Sequence, residues 1–401
     1  MKFMIRKQLK FRLKELKITN EEMAARINRS PSALSSYFNG KGELDFYNLI
    51  LLVKELYSDE SEQFEVIKKV ILSLERPDNI KCAIEATSFR ENTEVLEELL
   101  ENAENHQNRE LNEWAKVYKI HLMYLTKEIS AIRMANLARQ LKIKKEDGKK
   151  EIKNEELLFF QKWMETYGHY INKDYSVLPV LLNELDSLLD HVSNEYIGKT
   201  YSTKFYLLKA NYSLFDNNID EAERYYYKVI DNSLNLQKTG HAYHGLGVCS
   251  MYKDKEMSYK HLKKSIAIFT ELKEEAFIEN AKHAFNLASN FHSDEEFYTY
   301  DDCIGLKLET AHRYIKKQEL DKAQEIMNSI NFEELSVFYK AFYNLYKGML
   351  YNDIDSLYMS LMYFKEVNSK FYALLPCKEL IKRNERHSAI CAAYGEIADF
   401  S

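Results

Sequence analysis

Thr19–Gly40 reads TNEEMAARINRSPSALSSYFNG, which resolves into two short helices and a tight turn. Thr19 and Glu22 have capping-box spacing, each side chain meeting a backbone N–H of the other's turn, so a helix starts here. Met23, Ala24 and Ile27 give it one apolar face, and Ala24 is small enough for a second helix to cross closely. Asn28 stands where the turn needs left-handed backbone, which Asn tolerates better than any residue but Gly. Ser30 then caps a second helix, and Pro31 takes the first helical position, where its missing N–H removes no bond. Leu34, Tyr37 and Phe38 form the buried stripe, and Asn39 and Gly40 stop the helix. Working outward, Leu9, Leu13 and Leu16 supply a helix before this pair. Leu44, Phe46, Leu49, Ile50 and Val53 supply one after it.

The second helix keeps its small groups outward: Ser32, Ala33, Ser35 and Ser36, with Ser30 at its start. Groups of this size permit close approach to a major groove and bond base edges or phosphates. Arg29, Asn39 and Lys41 flank them for the DNA backbone. Charge agrees with this placement. Residues 1–41 hold ten Lys/Arg against three acids, a local +7, while the whole chain is −6, which leaves −13 on the rest. A basic head on an acidic body fits a chain in which only the head meets phosphate. The segment resembles the helix-turn-helix of the Xre/Cro family, with Asn28 where that family usually has Gly. The resemblance implies a double-stranded DNA operator as partner and binding as a dimer to paired half-sites.

Beyond residue 60 the chain reads as helix after helix. Gly (11) and Pro (4) are scarce for 401 residues, which argues against a β or Rossmann chain and for helices joined by short connections. NNIDEAERYYYKVI, KDKEMSYKHLKKSI, KQELDKAQEIMNSI and NDIDSLYMSLMYFKEV share a phase, ending at Ile230, Ile266, Ile330 and Val367. Ala222, Ser258 and Ala323 fill one small-residue slot. The spacings are 36, 64 and 37 residues, so one repeat is degenerate. A period near 34 with paired helices is the tetratricopeptide pattern, in which pairs stack into a superhelix with a concave inner surface. The expected fold is therefore all-α: a helix-turn-helix (1–56), then a tetratricopeptide-like right-handed superhelix (57–385). The charged run Lys142–Lys153 reads as an exposed loop or a solvated helix end.

Chemistry is sparse. No glycine-rich phosphate loop, HExxH or GxSxG is present, so no enzyme and no cofactor are expected. His241 and His244 share a helix face but lack a third ligand, and they read as packing, with no metal. The five scattered cysteines form no disulfide framework, and no stretch approaches the about 18 consecutive apolar residues of a membrane span. No membrane association and a cytoplasmic location are expected.

The concave surface is the expected working site. Asn211, Asn232, Asn286 and Asn290 fall in or near successive inner helices, and an Asn side chain bonds both N–H and C=O of an extended peptide. Each is equally readable as a cap or turn residue. Lys204 or Arg224 suits a peptide carboxylate; Asp301 or Asp355 suits a basic side chain.

NEWAKVYKIH (Asn112–His121) and AYHGLG (Ala242–Gly247), the latter preceded by Asn232 and Ser233, resemble the AimR arbitrium receptors of Bacillus phages, within the peptide-sensing regulators of Gram-positive bacteria. The resemblance implies a homodimeric phage transcription factor of the lysis–lysogeny decision, working in the host bacterial cytoplasm. It implies a signalling peptide of about six residues in the groove, where Tyr243 of AYHGLG joins the candidates, and that the peptide stops activation. It also implies dimer contacts in a C-terminal helix (386–401), here the apolar stretch Ile390–Phe400. Two other readings stay open: a peptide regulator of plasmid or host origin, and a Rap-like scaffold that binds a partner protein.

Overall fold

Local end signals build the head as expected. In the computed structural model, which describes residues 2–141, 154–298 and 303–394, the chain opens with α1 (Lys2–Glu15), α2 (Asn20–Arg26), α3 (Pro31–Phe38) and α4 (Phe46–Leu56). Both halves of the Thr19–Glu22 capping box form, and Ser30 accepts from the Ala33 N–H. Asn28 takes φ +50°, the left-handed turn expected there, and Gly40, which stops α3, takes φ +78°. Leu9, Leu13, Met23, Ala24, Ile27, Leu34, Phe46, Leu49, Ile50 and Val53 are buried. Leu16 is not: it follows the end of α1, beside Lys17 in left-handed backbone, and is 41% exposed. Arg6 is drawn inward, bonding the Tyr37 carbonyl at 3.2 Å with its guanidinium over the Tyr37 ring.

Among the described residues there are helices and turns but no strand. The chain divides into two compact units, residues 1–205 and 206–401, a cut that falls within α12 (Glu195–Phe215). In the first unit, α5 (Glu60–Ile71) packs on α4, and α6 (Pro77–Phe89), α7 (Thr93–Glu104), α8 (Arg109–Leu125), α9 (Ala131–Gln140), α10 (Glu155–Ile171) and α11 (Leu178–Leu189) pack as neighbouring helices. Lys142–Lys153 lies outside the described residues. The NEWAKVYKIH segment lies on α8 and is structural. The Asn112 amide caps the end of α7 through the carbonyls of Ala103, Glu104 and His106. The Tyr118 hydroxyl reaches the fully buried Glu85 at 2.7 Å, and Lys204 closes on the same carboxylate at 2.6 and 2.8 Å.

The second unit is a stack of helix pairs. α13 (Ile219–Asn232), α14 (Leu236–Cys249), α15 (Lys255–Leu272) and α16 (Glu275–His292) come first. They are followed by α17 (Ile304–Lys316) with α18 (Leu320–Asn328), α19 (Val337–Tyr351) with α20 (Ile354–Glu366), and α21 (Lys370–Lys382) with α22 (His387–Tyr394). The four in-phase stretches are α13, α15, α18 and α20. Their small-residue slot has a physical reason, since neighbouring backbones touch there. The Ser258 hydroxyl donates to the Gly247 carbonyl at 2.7 Å, and Ser265 to that of Gly240 at 2.9 Å. On the side of α14 that meets α13, a Cβ at Gly245 would stand 2.1 Å from the Tyr226 ring. The AYHGLG glycines are thus points of close helix approach.

The doubled 64-residue spacing also has its cause. α16 packs directly on α17, and the second helix of its pair is replaced, as far as the described residues go, by a non-helical strap, Ser293–Tyr298. Side chains hold that strap by its main chain. Asn286 donates to the Tyr298 carbonyl at 3.1 Å and accepts from its N–H at 2.9 Å. Ser289 donates to the carbonyls of Asp294 and Glu296, and Arg313 to those of Asp294 and Glu295.

Candidate DNA interface and peptide groove

On α3, Ser32 and Ser36 are exposed while Ala33 and Ser35 are half-buried. Ser30 is exposed and committed as the cap, 3.0 Å from the Ser32 hydroxyl. Asn39 leans back to Ser35 at 3.4 Å. Arg29 is ion-paired with Asp45, and Arg26 with Glu55 at 3.0 Å, so these cations brace the head while staying partly exposed. Lys14, Lys17 and Lys41 are exposed and meet no carboxylate among the described residues. The arrangement is a short helix presenting two hydroxyls, flanked by lysines: small donors for base edges and mobile charge for phosphates.

The peptide candidates are distributed over both units. Lys204 belongs to the first, is buried, and has aromatic rings on several sides, Phe160 at 4.6 Å and Trp163 at 5.1 Å from its ammonium. Its charge is matched by Glu85, so it holds no free valence for a ligand carboxylate. The other candidates belong to the second unit. Asn211 accepts from the Tyr226 hydroxyl at 2.7 Å, and Asn232 bonds back to the Lys228 carbonyl at 2.8 Å on α13. Arg224 is exposed beside Glu221 at 3.4 Å. Tyr243 stacks on His261, with ring centroids 5.8 Å apart. Asn286 clamps the strap, and Asn290 ties α16 to the Glu309 carbonyl and carboxylate. The main-chain grip expected of an Asn is real at Asn286, and what it grips is the chain's own backbone. Asp355 is exposed in the first turn of α20; Asp301 lies outside the described residues.

His241 sits against the rings of Phe269 and Phe277, at 5.1 and 4.5 Å. Burial pushes it down to about 3 and His244 down to about 4, so both are neutral imidazoles at ordinary pH. Among the described residues no group of three or more His, Cys, Asp or Glu is placed to hold a metal ion. No described helix is long and apolar enough to cross a membrane.

A cavity of about 360 Å³ opens where α17, α19 and α21, the first helices of three successive pairs, converge. Its cations escaped the sequence reading: Lys316, Lys378, Lys382 and Arg383. Glu379 pairs with Lys382 at 2.6 Å and Arg383 at 2.7 Å, and these two bonds outweigh burial to hold its carboxyl below the usual range. Lys316 bonds the Asn290 carbonyl and the Ser293 hydroxyl; Lys378 lies over the Tyr252 and Phe291 rings. Neither ammonium meets a carboxylate within ion-pair distance among the described residues. Burial, and after it the nearby Lys382, pushes both below the ordinary lysine value. The signal in the sequence was the cationic run around Lys378–Arg383; its partner Lys316 stands on another helix pair. Below the cavity, His312 bonds the buried Glu309 at 3.2 Å and His283 stands 3.5 Å from it, while Tyr346 donates to it. Burial opposes the charge on Glu309, but the two histidines outweigh it and hold the carboxyl down to about 2.

Comparison with known proteins agrees with this plan. Residues 63–382 match the family described as AimR transcriptional regulator-like, and residues 9–57 match the helix-turn-helix family. The AimR transcriptional regulator of Bacillus phage SPbeta is 25% identical over 378 residues, covering 90% of this chain and 92% of its own length. That of Bacillus phage phi3T is 26% identical over 387 residues, covering 90% and 94%. The solved structure of SeMet-phAimR shares the fold at TM-score 0.79 and 21% identity, over 97% of this chain and 100% of its own. That of phAimR-Ligand does so at 0.66 and 24%, over 85% and 98%. With a DNA-binding type of head and most of the body matched in one continuous stretch, the chain belongs to the AimR transcriptional regulator-like family.

Proposed function

We propose that the chain is a homodimeric transcription regulator of a phage lysis–lysogeny decision, acting in the bacterial cytoplasm, whose grip on a DNA operator is altered by a short peptide held in the second unit. The observation that carries this is the pairing of a braced helix-turn-helix, its hydroxyl-bearing helix exposed, with a helical-pair array that contains a cation-lined cavity. Ser32 and Ser36 face the major groove, and Lys14, Lys17 and Lys41 meet phosphates. On the peptide side, Arg224, Tyr243, Asn211 and Asn232 are the candidates with exposed or half-buried side chains; the buried Lys204, Asn286 and Asn290 hold the architecture. Two copies place two heads on paired half-sites, and a peptide that favours one body conformation sets how well both heads fit together. Ile390 in α22 is fully buried within its own chain, so a dimer contact by that helix uses its other faces.

The test is fluorescence anisotropy of the full-length chain against duplexes from its own genomic neighbourhood, across a salt series. A regulator shows affinity that falls steeply with salt, and Ser32→Glu with Ser36→Glu weakens it by about tenfold or more while helicity is unchanged. Adding the hexapeptides encoded next to the gene shifts the affinity or the bound geometry. Absence of salt-sensitive duplex binding would reject the reading.

A further inference from the structure

We infer that the cavity between α17, α19 and α21 is a carboxylate socket, and that it makes the ligand of this chain one anchored through an anionic group. The inference rests on the reading that the second unit binds a short peptide, and it deepens that reading by naming what the peptide must present. Four cations border the space and one acid, Glu379, answers two of them, so Lys316 and Lys378 are left with only neutral partners, a carbonyl, a hydroxyl and aromatic faces. Lys378 is half-buried and Lys316 stands exposed at the rim, with Glu379 acting on Lys316 only at a distance, so an anion that enters between the two ammoniums is met by charge-assisted bonds that no carboxylate of the chain already makes. The displacement of both lysines toward the neutral form by burial and by like charge agrees with that unmet demand. The remaining walls are mostly apolar, Phe291, Ile315, Leu345, Met349 and Leu375, with His312 and Gln318 the polar members. Such walls suit an amino-acid residue that carries its carboxylate more than a bare inorganic anion, and the volume stands at the lower end of ligand pockets, about 300–1,000 Å³. Arg224 is not part of this lining, and Lys204 belongs to the other unit and is already paired, so the socket takes over the role that the sequence offered to those two.

The carboxylate has two possible sources on a peptide, its C-terminus or an Asp or Glu side chain, and the experiment separates them. A positional-scanning hexapeptide library is made as free acids and as C-terminal amides, and both are selected on the full-length chain, with the best sequences resynthesised for calorimetry. Free acids that outbind their amides by about tenfold or more place the terminus in the socket. Enrichment of Asp or Glu at one position in both forms places a side chain there. Lys378→Glu is expected to abolish the anion preference or turn it toward Lys and Arg. Since Lys378 lies over two rings, the exposed Lys382→Glu gives a second reading that leaves the packing intact, with a smaller loss in the same direction. Peptides that bind with no preference for either anionic group, or a preference that neither variant changes, overturn the socket and leave peptide binding standing. Failure of every peptide to bind the unaltered chain overturns both.

Discussion

Glu85 in the first unit and Glu309 in the second are both fully buried, and each takes a hydrogen bond from a tyrosine, Tyr118 or Tyr346. Their counter-charges differ. Glu85 is met at 2.6 Å by Lys204, whose ammonium is ringed by Phe89, Phe160, Trp163 and Tyr201. Glu309 is met by two imidazoles, His312 and His283, and by the Asn290 amide. The first arrangement is therefore fixed by one enclosed ion pair, while the second is shared among side chains of α16, α17 and α19. The shared centre borders the cavity of α17, α19 and α21, with His312 in its lining. The difference separates a unit whose buried carboxylate hangs on one cation from a unit whose buried carboxylate is spread over three helices.

The largest effect that would break this contrast is on the fixed side. Lys204→Met leaves the buried Glu85 without its counter-charge, and the expected loss is about 3–5 kcal/mol. Both tryptophans, Trp114 and Trp163, lie in the first unit, so a urea titration followed by their fluorescence reads this unit directly. A loss below about 1 kcal/mol would mean that the pair is not structural. On the second unit, Gly245→Ala drives a methyl into the Tyr226 ring, and overpacking of that kind costs about 1–3 kcal/mol. Hydrogen exchange should show the opening confined to helices α13 to α15.

Glu309→Gln exchanges a charge for an amide that can still bond several of the partners sharing the site, so about 1–2 kcal/mol is expected, less than for Lys204→Met. Its pH signature sharpens the test. Glu309 stays ionised in the folded chain down to about 2, whereas an unfolded glutamate takes its proton near 4.5, so its contribution is complete above about 4.5 and disappears as pH falls toward 2. The Gln variant should lack that acid limb in a denaturation series.

The smallest effect concerns His241. An unfolded histidine protonates near 6.5 but the buried one only near 3, so protons favour the unfolded chain throughout that window and stability drops as pH falls from 6.5. His241→Leu should flatten that part of the profile while changing neutral-pH stability by less than about 1 kcal/mol. An unchanged profile would show that His241 is not the group responsible.

The head was legible because its instructions are local: caps, a proline and a left-handed Asn are read within four residues of where they act. The repeat phase was legible for the same reason, and even the 64-residue gap announced a missing element. What filled the gap was not legible, since Ser293–Tyr298 has no periodicity and is held by side chains from α16 and α17. The buried ion pair was beyond reach too, with Lys204 and Glu85 separated by 119 positions. Four asparagines that looked alike in the sequence proved to do different things, accepting from a tyrosine, bonding back along a helix, clamping a strap and joining two helices. The socket lysines stayed hidden because three separate helix pairs must stack before they face one space.

The strap has a consequence for how the array comes apart. In a stack held by nearest-neighbour interfaces, cooperativity passes from one layer to the next through interdigitated apolar side chains. At Ser293–Tyr298 a helix's worth of that apolar contact gives way to polar clasps on a peptide backbone, each worth about 1 kcal/mol and each open to competition from water. The superhelix therefore carries a fault line between its α13–α16 and α17–α22 halves, and slow exchange of backbone amides should give way there before it does on either side.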